Sequence, residues 1–128
     1  MDPNEHPGDW LVVPCYNEAA RLDPAGFAAL HGHVQLLFVD DGSTDATLSL
    51  LRSLGEERPG VHVLPLSPNR GKAEAVRAGM VHAIARGALA VGYFDADLAT
   101  PAEEMLRLHR TMVERDVMAA FGSRIRLL

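Results

Sequence analysis

The sequence has one cysteine, no long hydrophobic run and a shortage of positive charge. Because Cys15 has no second cysteine to pair with, no internal disulfide can form, which favours a reducing cytoplasmic setting and a small buried side chain. No apolar run approaches the roughly 20 residues that a membrane-spanning helix needs. Residues 1–9 are a polar leader without the basic and apolar regions of a signal peptide. We therefore expect a cytoplasmic protein.

The charge balance and two absent motifs limit the kinds of ligand. With 12 Lys and Arg against 17 Asp and Glu, the net charge of -5 argues against a nucleic-acid binder held by phosphate contacts. Local groups must therefore meet any anionic ligand. Gly71-Lys72 is followed by Ala73 instead of Ser or Thr, which excludes a phosphate-binding P-loop. No Gly-x-Gly-x-x-Gly follows the first predicted strand, so the usual dinucleotide fingerprint is absent as well.

The hydrophobic pattern predicts one α/β domain over residues 10–128. A chain of this length, 48% hydrophobic, can bury one core, and short aliphatic runs alternate with helical patterns as in a mainly parallel sheet. Strands are predicted at 10–13, where Pro14 breaks the strand, and at 34–39, 61–64, 88–94 and 117–121. Helices are predicted at 24–30, from an Asp45 cap to Gly55, from Gly71 to Gly87, and from Pro101 to about Arg115.

Two helices carry more detailed expectations. The helix that begins near Gly71 should bury one apolar face. The members of that face are Val76, Met80, Val81 and Ile84. Thr100 is the expected cap of the last helix, with Pro101 in its first turn.

Four polar segments follow the predicted strands. Ligands of open parallel α/β sheets gather beyond the carboxyl ends of the strands, so one site could be lined by all four segments. They are residues 14–18, 40–45, 69–72 and 95–97.

Asp95 and Asp97 stand one residue apart at the end of a buried strand. Adjacent carboxylates repel each other, and a divalent cation removes that penalty while leaving coordination positions for phosphate oxygens and water. Hard oxygen ligands favour Mg2+ or Mn2+ over zinc. The pair alone is a short pattern, and its position after a buried strand is what favours a metal site.

Two of the other three segments, residues 40–45 and 69–72, favour a nucleotide. Asp40 and Asp41 precede a glycine turn that does not require them, and a carboxylate suits the N–H groups of a nucleobase. The segment Asn69-Arg70-Gly71-Lys72 places two cations at a helix N-terminus, where they would meet a pyrophosphate. The plainer interpretation of residues 40–45 is a capped turn, and that of residues 69–72 is a solvated turn.

Four segments in fixed order span Leu11 to Arg124: VVPCYNEAARL, FVDDGSTDATL, NRGKAEAVRAGM and GYFDADLATP, the last followed by FGSR. They resemble the nucleotide-sugar domain of family 2 glycosyltransferases, above all the dolichyl- or polyprenyl-phosphate glucosyl- and mannosyltransferases. The resemblance implies a GT-A fold, a three-layer α/β/α arrangement. It also implies a hexose donor of the UDP-glucose or GDP-mannose type.

The resemblance also implies roles for particular residues. Asp95 and Asp97 would match the metal-binding Asp-x-Asp and hold Mg2+ or Mn2+ against the donor diphosphate. Ala99 stands where some relatives have a metal-contacting Gln, so water would complete the shell. Pro14, Tyr16, Glu18 and Asp41 would border the nucleobase and ribose, Arg124 would face a phosphate, and the remaining donor-site residues would be Arg70, Gly71, Lys72 and Ala96.

The implied reaction is inverting transfer of a hexose to an acceptor, with a polyprenyl phosphate as the expected one. Such an acceptor is already an anion and needs little help from a general base. Family catalytic domains continue well beyond the length of this chain, and that second part supplies the acceptor site, any base and often membrane anchoring. The resemblance therefore implies a truncated donor-binding part, which self-associates or is completed by a further half, and a membrane-peripheral location for the longer protein.

Two other functions stay open at this point. A non-catalytic nucleotide-binding or assembly module of the same fold would bind UDP or GDP without turnover. A nucleotidyltransferase also uses paired aspartates, but it should carry a glycine-rich basic signature after the first strand, where this chain has Pro-Cys-Tyr-Asn-Glu.

Overall fold

Four parallel strands form the centre of the computed structural model, which describes residues 8–96 and 102–114. The strands lie in the order β3-β2-β1-β4, and each of their pairings is parallel. Their bounds are β1 Asp9–Cys15, β2 Gln35–Asp41, β3 Val61–Leu66 and β4 Ala90–Tyr93. The helices are α1 Thr47–Glu57, α2 Lys72–Ala85 and α3 Ala102–Glu114, with a 3₁₀ helix at Pro24–Leu30. The predicted α/β class with a parallel sheet is confirmed.

The sheet is covered on both faces. Successive side chains of a strand point to opposite faces, so Leu11 and Val13 pack on one side while Trp10 and Val12 pack on the other. The first side carries α1, α3 and the 3₁₀ helix, whose Phe27 contacts Phe38 of β2 edge to face at 5.2 Å. The second side carries α2. This three-layer arrangement explains the continuous apolar runs of β1 and β2.

The strands depart from the sequence prediction at their ends. Pro14 does not break β1, which continues to Cys15 with Pro14 paired to Val39. The main chain of Val12 faces β4, because its oxygen accepts a hydrogen bond from the N–H of Phe94 at 3.1 Å. Pro14 lies two residues further along β1 and therefore faces the same side, at a point where β4 has already ended. Its missing N–H is therefore not needed there. β2 and β3 each continue two residues past the predicted end, and β4 is shorter than predicted at both ends.

The helices begin and end close to the predicted positions, with one exception. The N-cap of α1 is Ala46 and not the predicted Asp45, which stands one residue earlier and accepts a hydrogen bond on its Oδ1 from the N–H of Thr47 at 2.9 Å. Gly55 does not end α1, which continues to Glu57. The turn into β3 instead uses Gly60, whose φ of 86° is a conformation that glycine adopts without strain. The predicted strand at 117–121 lies outside the described residues, as do Thr100 and Pro101.

The prediction for the buried face of α2 is wrong for Val81 and Ile84, which are exposed. Val76 and Met80 are half-buried, and Met80 packs against the core, but the fully buried residues are Ala75, Gly79 and Ala83. The reason is the close approach of α2 to the sheet: a Cβ at position 79 would lie 2.5 Å from Cγ1 of Val12. A stripe of small residues permits that approach, and larger side chains would prevent it.

α3 is tied to the start of β1. Nε2 of His109 lies 2.7 Å from Oδ2 of Asp9, and both side chains are largely buried. Across residues 8–96 and 102–114, the structure shows no helix with the length and apolar character to cross a membrane.

Candidate functional site

A cavity of about 280 Å³ opens at the carboxyl ends of the central strands. It receives side chains from the end of β1, the end of β2, the first residue of α2 and the turn after β4. The lining residues are Pro14, Cys15, Tyr16, Glu18, Asp41, Lys72, Asp95 and Ala96. The structure thus brings residues from all four polar segments to one place, as expected for an open parallel sheet.

Asn17 joins the segment after β1 to the segment after β2. Its Oδ1 accepts hydrogen bonds from the N–H groups of Thr44 at 2.8 Å and Asp45 at 3.3 Å. In return, the N–H of Asn17 donates to Oγ of Ser43 at 2.9 Å. Asn17 adopts a φ of 51°, which asparagine tolerates better than most residues. These reciprocal bonds fix the chain between the cavity residues Tyr16 and Glu18.

Thr47 and Asp45 extend the same connection. The buried hydroxyl of Thr47 accepts from the N–H groups of Glu18 at 2.9 Å and Ala19 at 3.1 Å. The Thr47 hydroxyl donates in turn to the Asp45 carboxylate, and this hydrogen bond lowers the pKa of Asp45. Several polar residues of the Asp-Gly-Ser-Thr-Asp segment therefore position the neighbouring segment. Sequence patterns did not reveal Asn17, Ser43 and Thr47, because their partners lie 26 to 29 residues away.

Asp41 holds the segment between β3 and α2. Its buried carboxylate accepts hydrogen bonds from the N–H of Arg70 at 2.8 Å, the N–H of Gly71 at 2.9 Å and Nδ2 of Asn69 at 3.1 Å. Nδ2 of Asn69 also donates to the main-chain oxygen of Asp41 at 2.9 Å. Gly42 must be glycine for this contact, since it has a φ of 69° and a Cβ there would lie 2.5 Å from the nitrogen of Asn69.

Lys72 and Asp95 form an ion pair at the cavity. Lys72 is the first residue of α2, and Asp95 is two residues beyond the end of β4. Gly71 precedes α2 without a side-chain cap, which leaves N–H groups at this helix end for an anion. Among the described lining residues, Lys72 is the one cation beside the carboxyl groups of Glu18, Asp41 and Asp95.

The remaining predicted residues lie elsewhere. Arg70 and Gly71 are exposed and contact Asp41 through their N–H groups instead of lining the cavity. Asp97 and Arg124 lie outside the described residues. Asp40 is buried at the end of β2, and within the described part of the chain its Oδ1 has no hydrogen-bond partner. Cys15 lines the cavity as a buried side chain, and burial raises the pKa of its thiol.

The predicted metal site is described only in part. No group of three or more His, Cys, Asp or Glu side chains that could hold a metal ion is found in residues 8–96 and 102–114. Of the predicted pair of ligands, Asp95 is described, and its carboxylate faces the cavity in contact with a cationic side chain. An oxygen donor at a position that already attracts positive charge fits a hard cation such as Mg2+ or Mn2+.

A parallel α/β sheet with a polar cavity at the carboxyl ends of its strands is the architecture of many nucleotide-binding α/β proteins. Residues 10–126 match the family described as Glycosyl transferase family 2, and the chain belongs to that family. The resemblance of the four sequence segments is thereby confirmed.

Among curated proteins, the chain is similar to transferases named for polyprenyl phosphates. It is 39% identical to the undecaprenyl-phosphate 4-deoxy-4-formamido-L-arabinose transferase of Enterobacter sp. (strain 638), over 77% of this chain and 31% of the relative. It is 33% identical to the dolichyl-phosphate beta-glucosyltransferase of Dictyostelium discoideum, over 92% of this chain and 40% of the relative. The chain thus spans about a third of the length of these relatives.

Solved structures show the same fold. The mannosyltransferase PcManGT from Pyrobaculum calidifontis, in complex with GDP-Man and Mn2+, superposes with a TM-score of 0.68 at 26% identity, over 87% of this chain and 34% of that one. S. aureus TarS 1-349 superposes with a TM-score of 0.61 at 22% identity, over 84% of this chain and 33% of that one. The GT-A fold implied by the sequence resemblance is confirmed.

Proposed function

We propose that this chain binds the nucleotide-sugar donor of a glycosyltransferase, a UDP- or GDP-activated hexose, in the cavity at the carboxyl edge of the sheet. The observation that carries the proposal is the convergence of all four polar segments on that cavity. The lining includes a partly exposed aromatic ring, Tyr16, and the cation Lys72 at a helix N-terminus. A nucleoside diphosphate has a flat base and a pair of phosphates, which are suited to an aromatic ring and to a cation.

The nucleoside would lie against the segment after β1. Pro14, Tyr16 and Glu18 border the base and ribose in this arrangement. Asp41 is already engaged by three donors, and an ionised carboxylate has about four lone-pair positions. One position remains for an N–H of the base, so Asp41 would contact the nucleotide while it also holds the segment at residues 69–71.

The diphosphate would lie between α2 and the turn after β4. Lys72, the N–H groups at the start of α2 and Arg124 would contact phosphate oxygens. Because carboxylates outnumber cations in the described lining, an anionic donor needs further positive charge there. Asp95 and Asp97 would hold Mg2+ or Mn2+ for this purpose. That ion would stabilise the negative charge which develops on the leaving nucleoside diphosphate.

The acceptor we propose is a polyprenyl phosphate at the cytoplasmic surface of a membrane. Two of the relatives are named for transfer to undecaprenyl phosphate and dolichyl phosphate. A phosphate oxygen would attack the anomeric carbon from the side opposite the leaving group, which inverts the configuration there. Since the nucleophile is already ionised, little general-base help is needed.

Calorimetry with the 128-residue chain tests the donor site. GDP, UDP, GDP-mannose and UDP-glucose are titrated in Mn2+ and again in EDTA, with the wild type, Asp95→Asn and the exposed control Asp23→Asn. We expect one nucleotide to bind in Mn2+, with affinity lost in EDTA and in Asp95→Asn but kept in Asp23→Asn. Absence of binding to all four ligands would refute the proposal. Donor binding by this chain, together with no transfer to polyprenyl phosphate by a longer protein that includes the second part, would favour the non-catalytic module.

A further inference from the structure

Lys72 is the only lysine in a chain with 12 Lys and Arg residues. Its main chain is held in place, because the preceding residues Arg70 and Gly71 donate their N–H groups to the buried carboxylate of Asp41. The side chain therefore starts from a fixed point at the beginning of α2. From there its ammonium group reaches Asp95, which follows a strand that also belongs to the rigid sheet.

The pair is anchored at both ends and yet open to solvent. The side chain of Lys72 is 57% exposed and that of Asp95 is 24% exposed. Ion pairs with this exposure are weak, so another cation or anion can displace one partner. Two arginines pair with glutamates three positions away on the same helix, Arg77 with Glu74 on α2 and Arg107 with Glu104 on α3. Lys72 instead joins the start of α2 to the turn after β4, and both residues of its pair line the cavity.

The contact places the ammonium group of Lys72 beside the carboxylate of Asp95, which the proposed function assigns to a divalent cation. An ammonium group and a divalent cation repel each other, so they cannot both contact the same carboxylate oxygen without a penalty. A nucleoside diphosphate changes this balance, because its phosphate oxygens offer Lys72 another anionic partner. A ligand that removes a competitor from a site raises the affinity of that site for its other ligand.

We propose that Lys72 is a tethered counter-cation that occupies Asp95 in the donor-free protein and transfers to the donor diphosphate when metal and donor bind. This proposal rests on the proposed function, since it takes Asp95 as a metal ligand and a diphosphate as the second ligand. It gives Lys72 two successive partners, Asp95 and then the donor diphosphate. The consequence is that metal ion alone binds weakly and that metal and nucleotide strengthen each other's binding.

The first test measures Mn2+ binding without any nucleotide. Free Mn2+ is followed by its paramagnetic resonance signal in titrations of the wild type, Lys72→Met and the control Arg77→Met, which removes a cation from an exposed pair on the same helix. We expect Lys72→Met to bind Mn2+ roughly fivefold more tightly than the wild type, and Arg77→Met to differ by less than about twofold. Equal or weaker Mn2+ binding by Lys72→Met, or no binding by either protein, would overturn the proposal.

The second test measures coupling. With saturating GDP or UDP, the Mn2+ affinity of the wild type should rise by a larger factor than that of Lys72→Met. An equal factor in both proteins would contradict the transfer of Lys72 to the diphosphate.

The single lysine also gives a spectroscopic signature. In protein labelled with 13C and 15N at lysine, one side-chain signal reports Lys72, and Asp95→Asn should shift it. Added Mg2+ should move the wild-type signal in the same direction. A signal that moves in Asp95→Asn but stays unchanged at saturating Mg2+ would refute displacement.

The two proposals can fail separately. If the wild type binds none of the nucleotides, the donor site fails, whereas the Mn2+ titrations still decide whether Lys72 competes for Asp95. If a nucleotide binds with Mn2+ but Lys72→Met leaves Mn2+ affinity unchanged, the donor site stands and the counter-cation role is refuted.

Discussion

Replacing Asp41 with asparagine should destabilise the protein, even though the shape of the side chain hardly changes. The carboxylate accepts three hydrogen bonds, two of them from the N–H groups of Arg70 and Gly71, in a position where Asp41 is only 3% exposed. An asparagine places an NH2 group where one carboxylate oxygen was. At least one donor of the segment between β3 and α2 then faces another donor and stays unsatisfied.

The size of the effect follows from the bonds that change. A hydrogen bond to a charged group contributes about 1.5–3 kcal/mol, and an unsatisfied buried donor costs about 1–3 kcal/mol. One bond lost and the others weakened by removal of the charge give a destabilisation of about 2–4 kcal/mol. Against a typical unfolding free energy of about 5–15 kcal/mol, this is a large fraction.

Urea unfolding in the absence of nucleotide and metal measures the effect, with the m-value checked for constancy. The control is Asp23→Asn, which removes the same charge from an exposed side chain that makes no capping hydrogen bond. Amide exchange at Arg70 and Gly71 should become faster in Asp41→Asn and stay unchanged in the control. If Asp41→Asn unfolds within about 0.5 kcal/mol of the wild type, the structural role assigned to Asp41 is refuted.

Three further predictions concern packing, the contact between α3 and β1, and pH. Gly79→Ala should destabilise by about 1–3 kcal/mol because its Cβ would meet Val12, whereas Gly55→Ala, with its nearest atom at 3.5 Å, should be neutral or stabilising in thermal and urea unfolding. A double-mutant cycle with Asp9→Asn and His109→Gln should give a favourable coupling of about 1–3 kcal/mol, and additive effects would argue against their contact. The pKa of His62 lies below its usual 6.5, mainly because of burial and secondly because positive charges lie nearby. Below pH 6.5 the unfolded chain therefore binds the proton more readily, so the contribution of His62 to stability is complete above pH 6.5 and declines as the pH falls towards the lowered pKa. His62→Gln should flatten the fall in urea midpoint between pH 7 and pH 5, and an unchanged slope would contradict this.

The strand pattern was predictable because it depends on local sequence. Runs that are apolar on both faces occur only where helices cover both sides of a sheet, as in β1 and β2. The placement of polar segments at the carboxyl ends followed from the same pattern. Pro14 was misjudged because its effect depends on which edge of β1 it faces and on where the strand along that edge, β4, ends.

The buried face of α2 and the contacts of Asp41 could not be read from the sequence. Helical periodicity selects the larger apolar residues, but the sheet approaches α2 so closely that the small residues Ala75, Gly79 and Ala83 are the buried ones. Asp41 was expected to face a nucleobase, yet three donors 28 to 30 residues away already engage its carboxylate. Contacts at such separations depend on how the strands are ordered in space.

The measurement that tests the donor site most directly is a backbone-amide NMR titration of the 15N-labelled chain with GDP-mannose and UDP-glucose in Mg2+. We expect one donor to give the largest shifts at the end of β1, at the start of α2 and at Asp95, with small shifts at the opposite edge of the sheet around His62. Shifts centred around His62, or no shifts at saturating donor, would refute the proposed donor site.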